Sequence, residues 1–582
     1  MAILGIDLGT TNSLACVWRD GKPELVKNSL GELLTPSVVC LDENGSLTVG
    51  AVAREQLITN PENTASSFKR WMGTHKTFAL GGRTFTPPEL SALVLEKLRR
   101  DAEEALGEPV TEAVISVPAY FNDNQRSATK LAAQLAGLHT ERIINEPSAA
   151  ALAYRLAHGE EDACLIVFDF GGGTLDVSVV ECFENVIEIT AIAGDNRLGG
   201  NDVDEAIARY FCAYNQIPQN VLSLEQQAVL LRQAERCKCT LAWSSMAAMF
   251  LPGPDGSSYT LTLTRELLAK LCEDIFDRMK KVLARAIRDS GRSISEIDHV
   301  ILVGGSSKLA ILPDFIASLF GKPPLKLDDP DTIVARGVGI CAGIKERSGE
   351  IKDVVMTDVC PFTLGTSVVN DDKDQNPHMS VMIERNSVLP VSRSDRFYTT
   401  RDNQEKIRVD ILQGEEYYAR DNLKLGEVLI TVPPEPAGKQ WVKTTFTYDI
   451  NGVLQVDVEN PSTSRKKTAY VVNPSLHLSE EELEQKLQEL AAIRGQLDQS
   501  EEEQLLLATA ERIFAESTGQ LRKEISRLLD LYRGMTEDKS AGPARRHRER
   551  AWMKAQLEKL EKYREDGVFD LELPDSWEDD SR

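Results

Sequence analysis

The sequence predicts a multidomain protein in which a duplicated α/β unit is followed by an all-β unit and then by a helical segment. Its 582 residues suffice for three or four compact units. Up to about Lys352, apolar strands such as EAVISVP alternate with helical stretches such as Asn124–Ala136, as in a mixed α/β fold. From 353 to 473 the apolar runs are short and alternate with polar residues, and after Pro474 they recur at helical spacing. The two changes of pattern therefore predict three structural units.

The first unit contains a repeated motif, an apolar strand that ends in Asp and passes through small residues into another strand. Its copies are GIDLGTTNS at Gly5–Ser13 and FDFGGGTLD at Phe168–Asp176. The small residues let backbone N–H groups approach a phosphate chain, and an Asp at the strand end would face the accompanying metal ion. The repeat thus predicts two similar halves that hold one nucleotide between them.

A third glycine pair, Gly304-Gly305 in HVILVGGSSKL, lies between a predicted strand and a predicted helix. One glycine-rich turn alone would usually be structural, but three related turns in one chain favour a shared ligand. The sequence lacks the GxxxxGK[ST] pattern, so this phosphate site is not a P-loop.

Turn and capping residues support the other two units. Asn451-Gly452 is a dipeptide typical of tight hairpins. Ser479 with Glu482, and Ser500 with Glu503, match the capping box that begins a helix. Apolar residues at helical spacing then predict packing within a helical bundle, namely Leu483, Leu487, Leu490, Ile525, Leu528, Leu529 and Tyr532.

Composition excludes several classes of partner. The formal net charge of −24 argues against a nucleic-acid coat, and the densest basic run, Arg545–Arg550, lies in the helical tail. No apolar run is long enough to predict a membrane span. The ten cysteines include no CxxC pair and no secretory signal precedes the first strand, as is typical of a cytoplasmic protein with reduced thiols. We expect a cytoplasmic monomer without nucleic-acid or membrane partners.

Longer stretches identify the family that the chain resembles. The three glycine motifs are similar to the phosphate and adenosine motifs of the actin-like, ribonuclease H-like ATPase fold. Val114–Gly137 (VISVPAYFNDNQRSATKLAAQLAG) and Arg142–Tyr154 (RIINEPSAAALAY) closely resemble the seventy-kilodalton heat-shock chaperones, the DnaK-like family. The resemblance runs from residue 3 to about 475. It implies an actin-like ATPase domain at 1–352, an apolar linker at 353–359, a β-sandwich substrate-binding domain at 360–474, a helical lid at 475–565 and a flexible acidic tail at 566–582.

In that family ATP lies between two lobes and water attacks the γ-phosphate. The resemblance implies that Lys69 offsets charge on the phosphoryl oxygens, where loss of such a group costs a factor of about 100 to 1,000. The catalytic residues implied are Asp7, Lys69, Glu146, Asp169 and Thr174. The metal-site residues implied are Asp7 and Asp169 around Mg²⁺ and Asp176 for K⁺. The residues implied to bind ATP or ADP are Thr10, Thr11, Asn12, Gly171, Gly172, Gly173, Glu235, Lys238, Gly304, Gly305, Ser306, Lys308 and Asp331.

The adenosine end departs from the family pattern. Cys239 and Ala242 replace groups that cover or hydrogen-bond the base in many relatives, and Lys308 stands where an arginine usually stacks on the ring. We therefore expect weaker nucleotide binding and faster exchange. The chain is also about two dozen residues shorter than typical relatives between Lys69 and Pro118, which resembles the specialised bacterial HscC-type branch.

The resemblance also implies coupling residues. Val354, Val355 and Met356 match the apolar linker that docks on the ATPase in its ATP state. Pro118 and Arg126 match a nucleotide-sensing relay. The contact surface for a J-domain co-chaperone would comprise Arg142, Asn145 and Asp358, the last of which also belongs to the allosteric set.

In the β unit the resemblance implies a channel for an extended apolar peptide. The channel residues implied are Val368, Val369, Phe397, Thr400, Ile407 and Val409. Ile407 is bulkier than the valine often found there, so we expect a shallower pocket. Pro436-Ala437-Gly438 lacks an arginine that latches the lid in relatives, so we expect loose closure and fast peptide release.

Two functions fit these features: an ATP-driven chaperone, and a passive co-chaperone or exchange factor of the same fold that barely cycles. A small-molecule kinase on the shared fold does not fit, because sugar kinases carry no β peptide module behind an apolar linker. The stretches DVVMTDV, NEP and VPAYFND are intact, which favours the chaperone.

Overall fold

The computed structural model describes residues 2–159, 162–253, 258–327, 329–346, 354–369, 376–449, 454–471, 479–493, 500–517, 519–537 and 542–566. The first half of the α/β region comprises β1 (Ile3–Asp7), β2 (Asn12–Arg19), β3 (Lys22–Val26), β4 (Thr35–Pro36), β5 (Val38–Leu41), β6 (Leu47–Val49), α1 (Ala51–Thr59), β7 (Thr64–Ser66), β8 (Phe78–Leu80), β9 (Arg83–Phe85), α2 (Pro87–Leu106), β10 (Glu112–Val117), α3 (Asp123–Leu135), β11 (Ile143–Asn145) and α4 (Glu146–His158). The helix predicted at Asn124–Ala136 is confirmed as α3.

The second half comprises β12 (Ala163–Phe170), β13 (Leu175–Phe183), β14 (Val186–Asp195), α5 (Gly200–Tyr214), α6 (Leu224–Thr240), β15 (Met246–Pro252), β16 (Ser258–Thr264), α7 (Arg265–Leu271), α8 (Glu273–Ser290), β17 (His299–Val303), α9 (Leu312–Phe320) and α10 (Ile333–Lys345). Beyond it lie β18 (Val355–Thr357), β19 (Leu364–Val368), β20 (His378–Ile383), β21 (Val391–Tyr398), β22 (Lys406–Gln413), β23 (Leu423–Thr431), β24 (Trp441–Tyr448), β25 (Leu454–Asn460) and β26 (Arg465–Val471). The last helices are α11 (Glu480–Ile493), α12 (Glu501–Ala515), α13 (Gly519–Glu537) and α14 (Pro543–Asp566). In the described part of the chain, no helix is both long and apolar enough to span a membrane.

The two main sheets of the α/β region share one pairing pattern. In the first sheet β1 pairs antiparallel with β2 and parallel with β10. In the second, β12 pairs antiparallel with β13 and parallel with β17. The small residues of each repeated motif form the turn between the antiparallel strands, at 8–11 and 171–174. The pairing pattern is the one expected of a duplicated unit, and it brings Asp7 and Asp169 to equivalent strand ends.

Helices α4 and α10 lie between the two sheets and contact each other along their lengths. Their shared apolar cluster draws residues from both sheets, such as Val114 and Val167. The two helices cross so closely that position 337 must be glycine, because a Cβ on Gly337 would lie 1.8 Å from the carbonyl oxygen of Ala149. The two helix backbones are therefore in direct contact, with no large side chain between them.

The β region forms two four-stranded antiparallel sheets, β20-β19-β22-β23 and β21-β24-β25-β26. They enclose one apolar cluster that includes Ile407, Val442 and Phe446. The predicted turn at Asn451-Gly452 lies outside the described residues, but the strands on either side pair antiparallel, with Tyr448 opposite Leu454.

Strand β18 belongs to the α/β region although it follows the last helix of that region. It adds to the second sheet by pairing parallel with β14, and the Val355 N–H donates to the Asn185 carbonyl at 2.9 Å. Val354 and Met356 pack on the apolar cluster between the sheets, whereas Val355 is 54% exposed. The linker predicted from 353 to 359 is thus docked through two of its three apolar residues; Asp353 lies outside the described residues.

The final helices contact two different partners. The capping box at Ser479 is confirmed, since Ser479 and Glu482 exchange backbone-to-side-chain hydrogen bonds of 2.8 and 3.2 Å. At Ser500 only the donation from the Glu503 N–H forms, at 3.3 Å, and the Glu503 carboxylate accepts from Arg550 instead. The predicted bundle packing is confirmed for Ile525, Leu528, Leu529 and Tyr532, which α12, α13 and α14 bury together.

The prediction of bundle packing is wrong for the apolar residues of α11. Leu490 is buried in the core of the first α/β half and Leu483 packs against that core. Helix α12 lies along α1 of the same half. Helical spacing indicates an apolar face but carries no information on which apolar surface will cover it, and here the first α/β half covers it.

Candidate nucleotide-binding site

A cavity of about 490 Å³ opens between the two α/β halves. Most of the residues expected to bind a nucleotide line it: Asp7, Thr10, Thr11, Asn12, Lys69, Glu146, Asp169, Gly171, Gly172, Thr174, Glu235, Lys238, Gly304, Gly305, Ser306, Lys308 and Asp331. Gly173 does not line it. Its carbonyl accepts from Arg70 Nε at 2.9 Å, and its role in nucleotide binding stays a prediction.

The two small-residue turns touch each other across the cavity. A Cβ on Gly172 would lie 1.8 Å from Thr11 Oγ1, so only glycine fits there. Within the first turn, a Cβ on Gly9 would lie 1.9 Å from the Asn12 carbonyl. Thr11 Oγ1 is buried and has no hydrogen-bond partner among the described residues. This cradle of backbone groups and one unused hydroxyl fits a phosphate chain.

The third turn forms another part of the cavity wall. Gly304 has φ of 82°, the left-handed region that glycine tolerates best, and a Cβ there would lie 2.7 Å from Asp169 Oδ1. Gly305 is equally confined, because its Cβ would lie 2.5 Å from Asp331 Oδ1. Backbone atoms therefore form this part of the wall, and they can contact a flat or extended ligand directly.

The floor of the cavity holds buried charge. Lys69 Nζ donates to Glu146 Oε1 at 3.0 Å, and both side chains are almost fully buried. Ser116 Oγ donates to Asp7 Oδ1 at 2.8 Å, but burial, and then repulsion from Glu146, raises the pKa of Asp7 to about 7. Burial and neighbouring carboxylates also raise the pKa of Asp169 well above its usual range. One lysine thus faces several carboxylates, an arrangement that attracts cations.

Asp176 lies behind this floor. Its Oδ1 accepts from the Tyr120 N–H at 3.1 Å, while its Oδ2 is buried without a partner among the described residues. Burial, followed by repulsion from Glu146, raises the pKa of Asp176 to about 7. The described residues contain no group of three His, Cys, Asp or Glu side chains placed to chelate a metal directly. The donor set therefore fits an Mg²⁺ ion held largely through phosphate and water oxygens.

At the adenosine end, the two predicted polar residues are already engaged. Glu235 accepts from Arg54 at 2.6 Å, which joins α6 of the second half to α1 of the first. Lys238 donates to Asp204 at 2.8 Å and to the Gly200 carbonyl at 3.1 Å. Sequence reasoning missed Arg54, since a lone helical arginine carries no distinguishing pattern.

Lys308, Cys239 and Ala242 all line the cavity, as does Trp243, which sequence reasoning also missed. Lys308 Nζ lies 2.7 Å from Asp329 and 2.6 Å from Asp331, so its ammonium is held at the rim by two carboxylates.

The predicted relay residues connect the cavity to α3. Arg126 Nη2 donates to Asn145 Oδ1 at 2.7 Å, and Arg126 Nε donates to the Phe121 carbonyl at 3.1 Å. Pro118 accepts from the Phe121 N–H at 3.1 Å in the same turn. Asn145 immediately precedes Glu146 of the cavity floor, so one short path joins the floor to α3.

Of the three residues expected to contact a J-domain protein, Asn145 is corrected. It is only 5% exposed and its amide serves Arg126, so a direct surface contact by Asn145 is wrong for this conformation. Arg142 is half-buried. Asp358 is half-buried and accepts from Ser148 Oγ at 2.9 Å.

The six predicted peptide-channel residues lie in the sandwich and differ in exposure. Ile407 and Val409 are buried in its core and Phe397 packs against that core. Val368, Val369 and Thr400 are half-buried. Ile407 and Val409 therefore lie in the sandwich interior, whereas the other four are partly exposed.

The sandwich and the α/β region make several buried polar contacts. Tyr448 Oη donates to Asp123 Oδ1 at 2.7 Å, and both side chains are buried. Two further contacts join the sandwich to the second α/β half. Arg385 Nη2 lies 3.0 Å from Asp289, and Asn386 Oδ1 accepts from the Ile192 N–H at 3.1 Å. These contacts involve α3, α8 and β14, the last of which pairs with β18.

Comparison with known proteins shows the family to which the chain belongs. The family model described as Hsp70 protein matches residues 3–80 and 74–568. The chaperone protein DnaK of Methanothermobacter thermautotrophicus is 38% identical over 561 residues, which cover 91% of this chain and 92% of that protein.

Proposed function

The chain belongs to the Hsp70 family, and from that membership we propose how its cavity, linker and sandwich act together. The protein is an ATP-dependent chaperone and an ATPase. As in the family generally, it binds ATP or ADP with Mg²⁺, its substrates are unfolded peptides and its co-chaperones are J-domain proteins. Each of these tasks falls to particular residues of this chain.

The proposed domains are an actin-like ATPase domain at 1–352, a linker at 353–359, a β-sandwich substrate-binding domain at 360–474 and a helical lid at 475–565. Separate apolar clusters support these divisions, since the sandwich has its own core and so do α12, α13 and α14. The tail at 567–582 lies outside the described residues.

In the cleft, the turns at 9–12 and 171–174 would hold the phosphates, together with Gly304 and Gly305 beside the second turn. Glu146 orients Lys69 through their buried ion pair, so the ammonium is presented to the cavity rather than to solvent. Asp7 and Asp169 would anchor the waters around Mg²⁺, which supplies charge neutralisation to the phosphates when bound. The unpartnered Oδ2 of Asp176 supports a role as a K⁺ ligand.

The single observation that most supports coupling between the nucleotide cavity and the sandwich is the docked linker. Because β18 pairs with β14 while the sandwich contacts α3 and α8, the structure has the arrangement expected of the ATP state. The path from Glu146 through Asn145 and Arg126 to α3 ends at Asp123, which holds Tyr448 of the sandwich. A change at the cavity floor would thus bias docking, and docking would bias the sandwich.

The position of the helices supports the same state. Helices α11 and α12 lie on the first α/β half rather than over the sandwich. Lys486 and Arg512 form ion pairs with Glu89 and Glu55 of that half, so the lid is held open by specific contacts. Release of these contacts would free the lid to close over a peptide held near Val368, Val369 and Thr400.

We further propose assignment to the HscC-type branch, a cytoplasmic monomer, and a J-domain contact through Arg142 and Asp358. The sequence features that favour them are the shortened stretch between Lys69 and Pro118 and the match of the Arg142–Tyr154 stretch. The same proposal places the peptide among the channel residues named above.

The test is the release of a fluorescent leucine-rich peptide after ATP or ADP is added. We expect fast release in ATP by the wild-type protein and by Lys69→Ala, with steady-state hydrolysis lost only in the variant. Lys280→Ala, at an exposed lysine that does not line the cleft, is the matched control and should behave as wild type. Peptide binding that is indifferent to nucleotide would contradict coupling and favour the passive co-chaperone.

A further inference from the structure

Trp243 is the most exposed of the large apolar side chains described, at 76% of its full surface. It lies just beyond the C-terminal end of α6 and lines the nucleotide cavity together with Cys239 and Ala242. An indole left in solvent forgoes the burial that would stabilise it, so its position at the rim of a ligand cavity calls for an explanation.

The backbone that carries Trp243 is held firmly. The Trp243 N–H donates to the Thr240 carbonyl at 3.2 Å, which continues the helical turn past the end of α6. Arg265 donates from Nε to the Leu241 carbonyl at 2.9 Å and from Nη2 to the Ala242 carbonyl at 3.3 Å. The indole is thus exposed on a fixed backbone, and it is displayed from the same turn as the small residues that face the cavity.

The other residues at this end offer little to a nucleotide base. Cys239 and Ala242 are small and lack an aromatic face, Lys308 is engaged by Asp329 and Asp331, and the planar guanidinium of Arg54 is engaged by Glu235. Lysine also lacks the planar group that stacks on a ring. The base of a bound nucleotide would therefore have an open face at the rim, next to Trp243, the one aromatic side chain among the described residues that line the cavity.

We propose that Trp243 stacks on the base of the bound nucleotide and covers its solvent-facing side. The inference rests on the proposed nucleotide site, because it requires the base to lie at the Glu235 and Lys238 end of the cleft. Stacking of a base on an aromatic side chain contributes about 1–3 kcal/mol, which corresponds to a factor of about 5 to 150 in affinity. Trp243 thus takes over, by a different chemistry, the covering of the base that Lys308 cannot provide.

The test is the calorimetric Kd for Mg-ADP of the full-length protein and two variants. Trp243→Ala should raise the Kd about 5- to 150-fold, whereas Trp243→Phe should keep most of the affinity. Leu231→Ala, which removes a 42% exposed side chain of the same helix that does not line the cavity, is the control and should bind as wild type. Inorganic tripolyphosphate, which has no base, should bind wild type and Trp243→Ala equally.

Tryptophan fluorescence gives a second readout that does not depend on turnover. ADP should quench or shift the emission of the wild-type protein, and the Trp243→Phe difference spectrum should lose that change. Equal ADP affinity in wild type and Trp243→Ala, or a fluorescence change that persists in Trp243→Phe, would overturn stacking. If the wild-type protein fails to bind ADP at all, the nucleotide site and the stacking role fall together, whereas a loss confined to Trp243→Ala leaves both in place.

Discussion

The buried hydrogen bond between Tyr448 and Asp123 joins the sandwich to the ATPase domain, and Tyr448→Phe removes only its donor. The ring stays, so no cavity is created and the sandwich core keeps its packing. Asp123 Oδ1 loses the partner 2.7 Å away, and Oδ2 already has none among the described residues. In the docked state of the variant, the buried carboxyl group of Asp123 therefore lacks this hydrogen bond.

The magnitude is set by that loss. A buried polar group left without its partner costs about 1–3 kcal/mol, and undocking would return Asp123 to water, so the cost falls on the docked state alone. The ratio of docked to undocked molecules should then drop by a factor of about 5 to 150. Tyr214→Phe, at a 60% exposed tyrosine of the ATPase domain, removes the same atom without touching the interface and should leave the ratio unchanged.

Hydrogen exchange of β18 in the presence of ATP measures this ratio. The Val355 N–H is bonded to Asn185 when the linker is docked, so its exchange rate reports the undocked fraction. We expect exchange in the 355–357 segment to accelerate by the same factor of about 5 to 150 in Tyr448→Phe. Unchanged exchange there in a folded variant, or an equal acceleration in Tyr214→Phe, would refute the reasoning.

The same contact gives docking a pH dependence. Burial raises the pKa of Asp123, and the Tyr448 hydrogen bond and Arg126 only partly oppose it. The docked state therefore binds a proton more tightly than the undocked state, so docking is favoured at low pH and is weakened as the pH rises through the raised pKa. Exchange of β18 should accelerate with rising pH beyond the intrinsic rate, and Asp123→Asn should abolish that excess.

Three other predictions concern the cleft and the lid. Lys69→Ala should lower the rate of ATP hydrolysis by a factor of about 100 to 1,000 in single-turnover measurements, while the Kd for ADP changes far less; loss of both together would argue against a catalytic role. Gly304→Ala should abolish tight ADP binding in calorimetry, because the left-handed φ and the 2.7 Å approach to a neighbouring oxygen leave no room for a methyl group. Arg512→Gln should weaken the contact between the C-terminal helices and α1 by less than the about 3–5 kcal/mol of a fully unpaired buried charge, because Glu55 would keep only its 3.6 Å contact with Arg232. Limited proteolysis should then cut these helices faster, whereas the exposed Arg533→Gln should not have this effect.

Local patterns predicted the parts of the fold that local chemistry determines. The strand-Asp-turn repeat located the two small-residue turns, because only glycine fits where the Gly172 backbone meets the Thr11 side chain. The α3 helix and the capping box at Ser479 were predictable because their donors and acceptors lie within three or four residues of each other. Such features need no knowledge of distant contacts.

The remaining features depend on contacts between distant parts of the chain. Leu490 has the same spacing whether it faces a bundle or the ATPase domain, and its partner lies hundreds of residues away. Asn145 matched a surface motif by sequence, yet Arg126 from α3 holds it below the surface. Trp243 carried no signal at all, because a single exposed aromatic acquires meaning only when a cavity is found beside it.

The contact between α4 and α10 determines how the two halves of the ATPase domain move against each other. Backbone lies on backbone at Gly337 and Ala149, so no side chains interlock at that point of the crossing. A small displacement there is a sliding motion that needs no rotamer change and exposes no apolar surface. The cleft is therefore able to open for nucleotide exchange while both cores stay closed. A protein that must bind aggregation-prone chains can in this way repeat its own cycle without exposing apolar surface and aggregating with them.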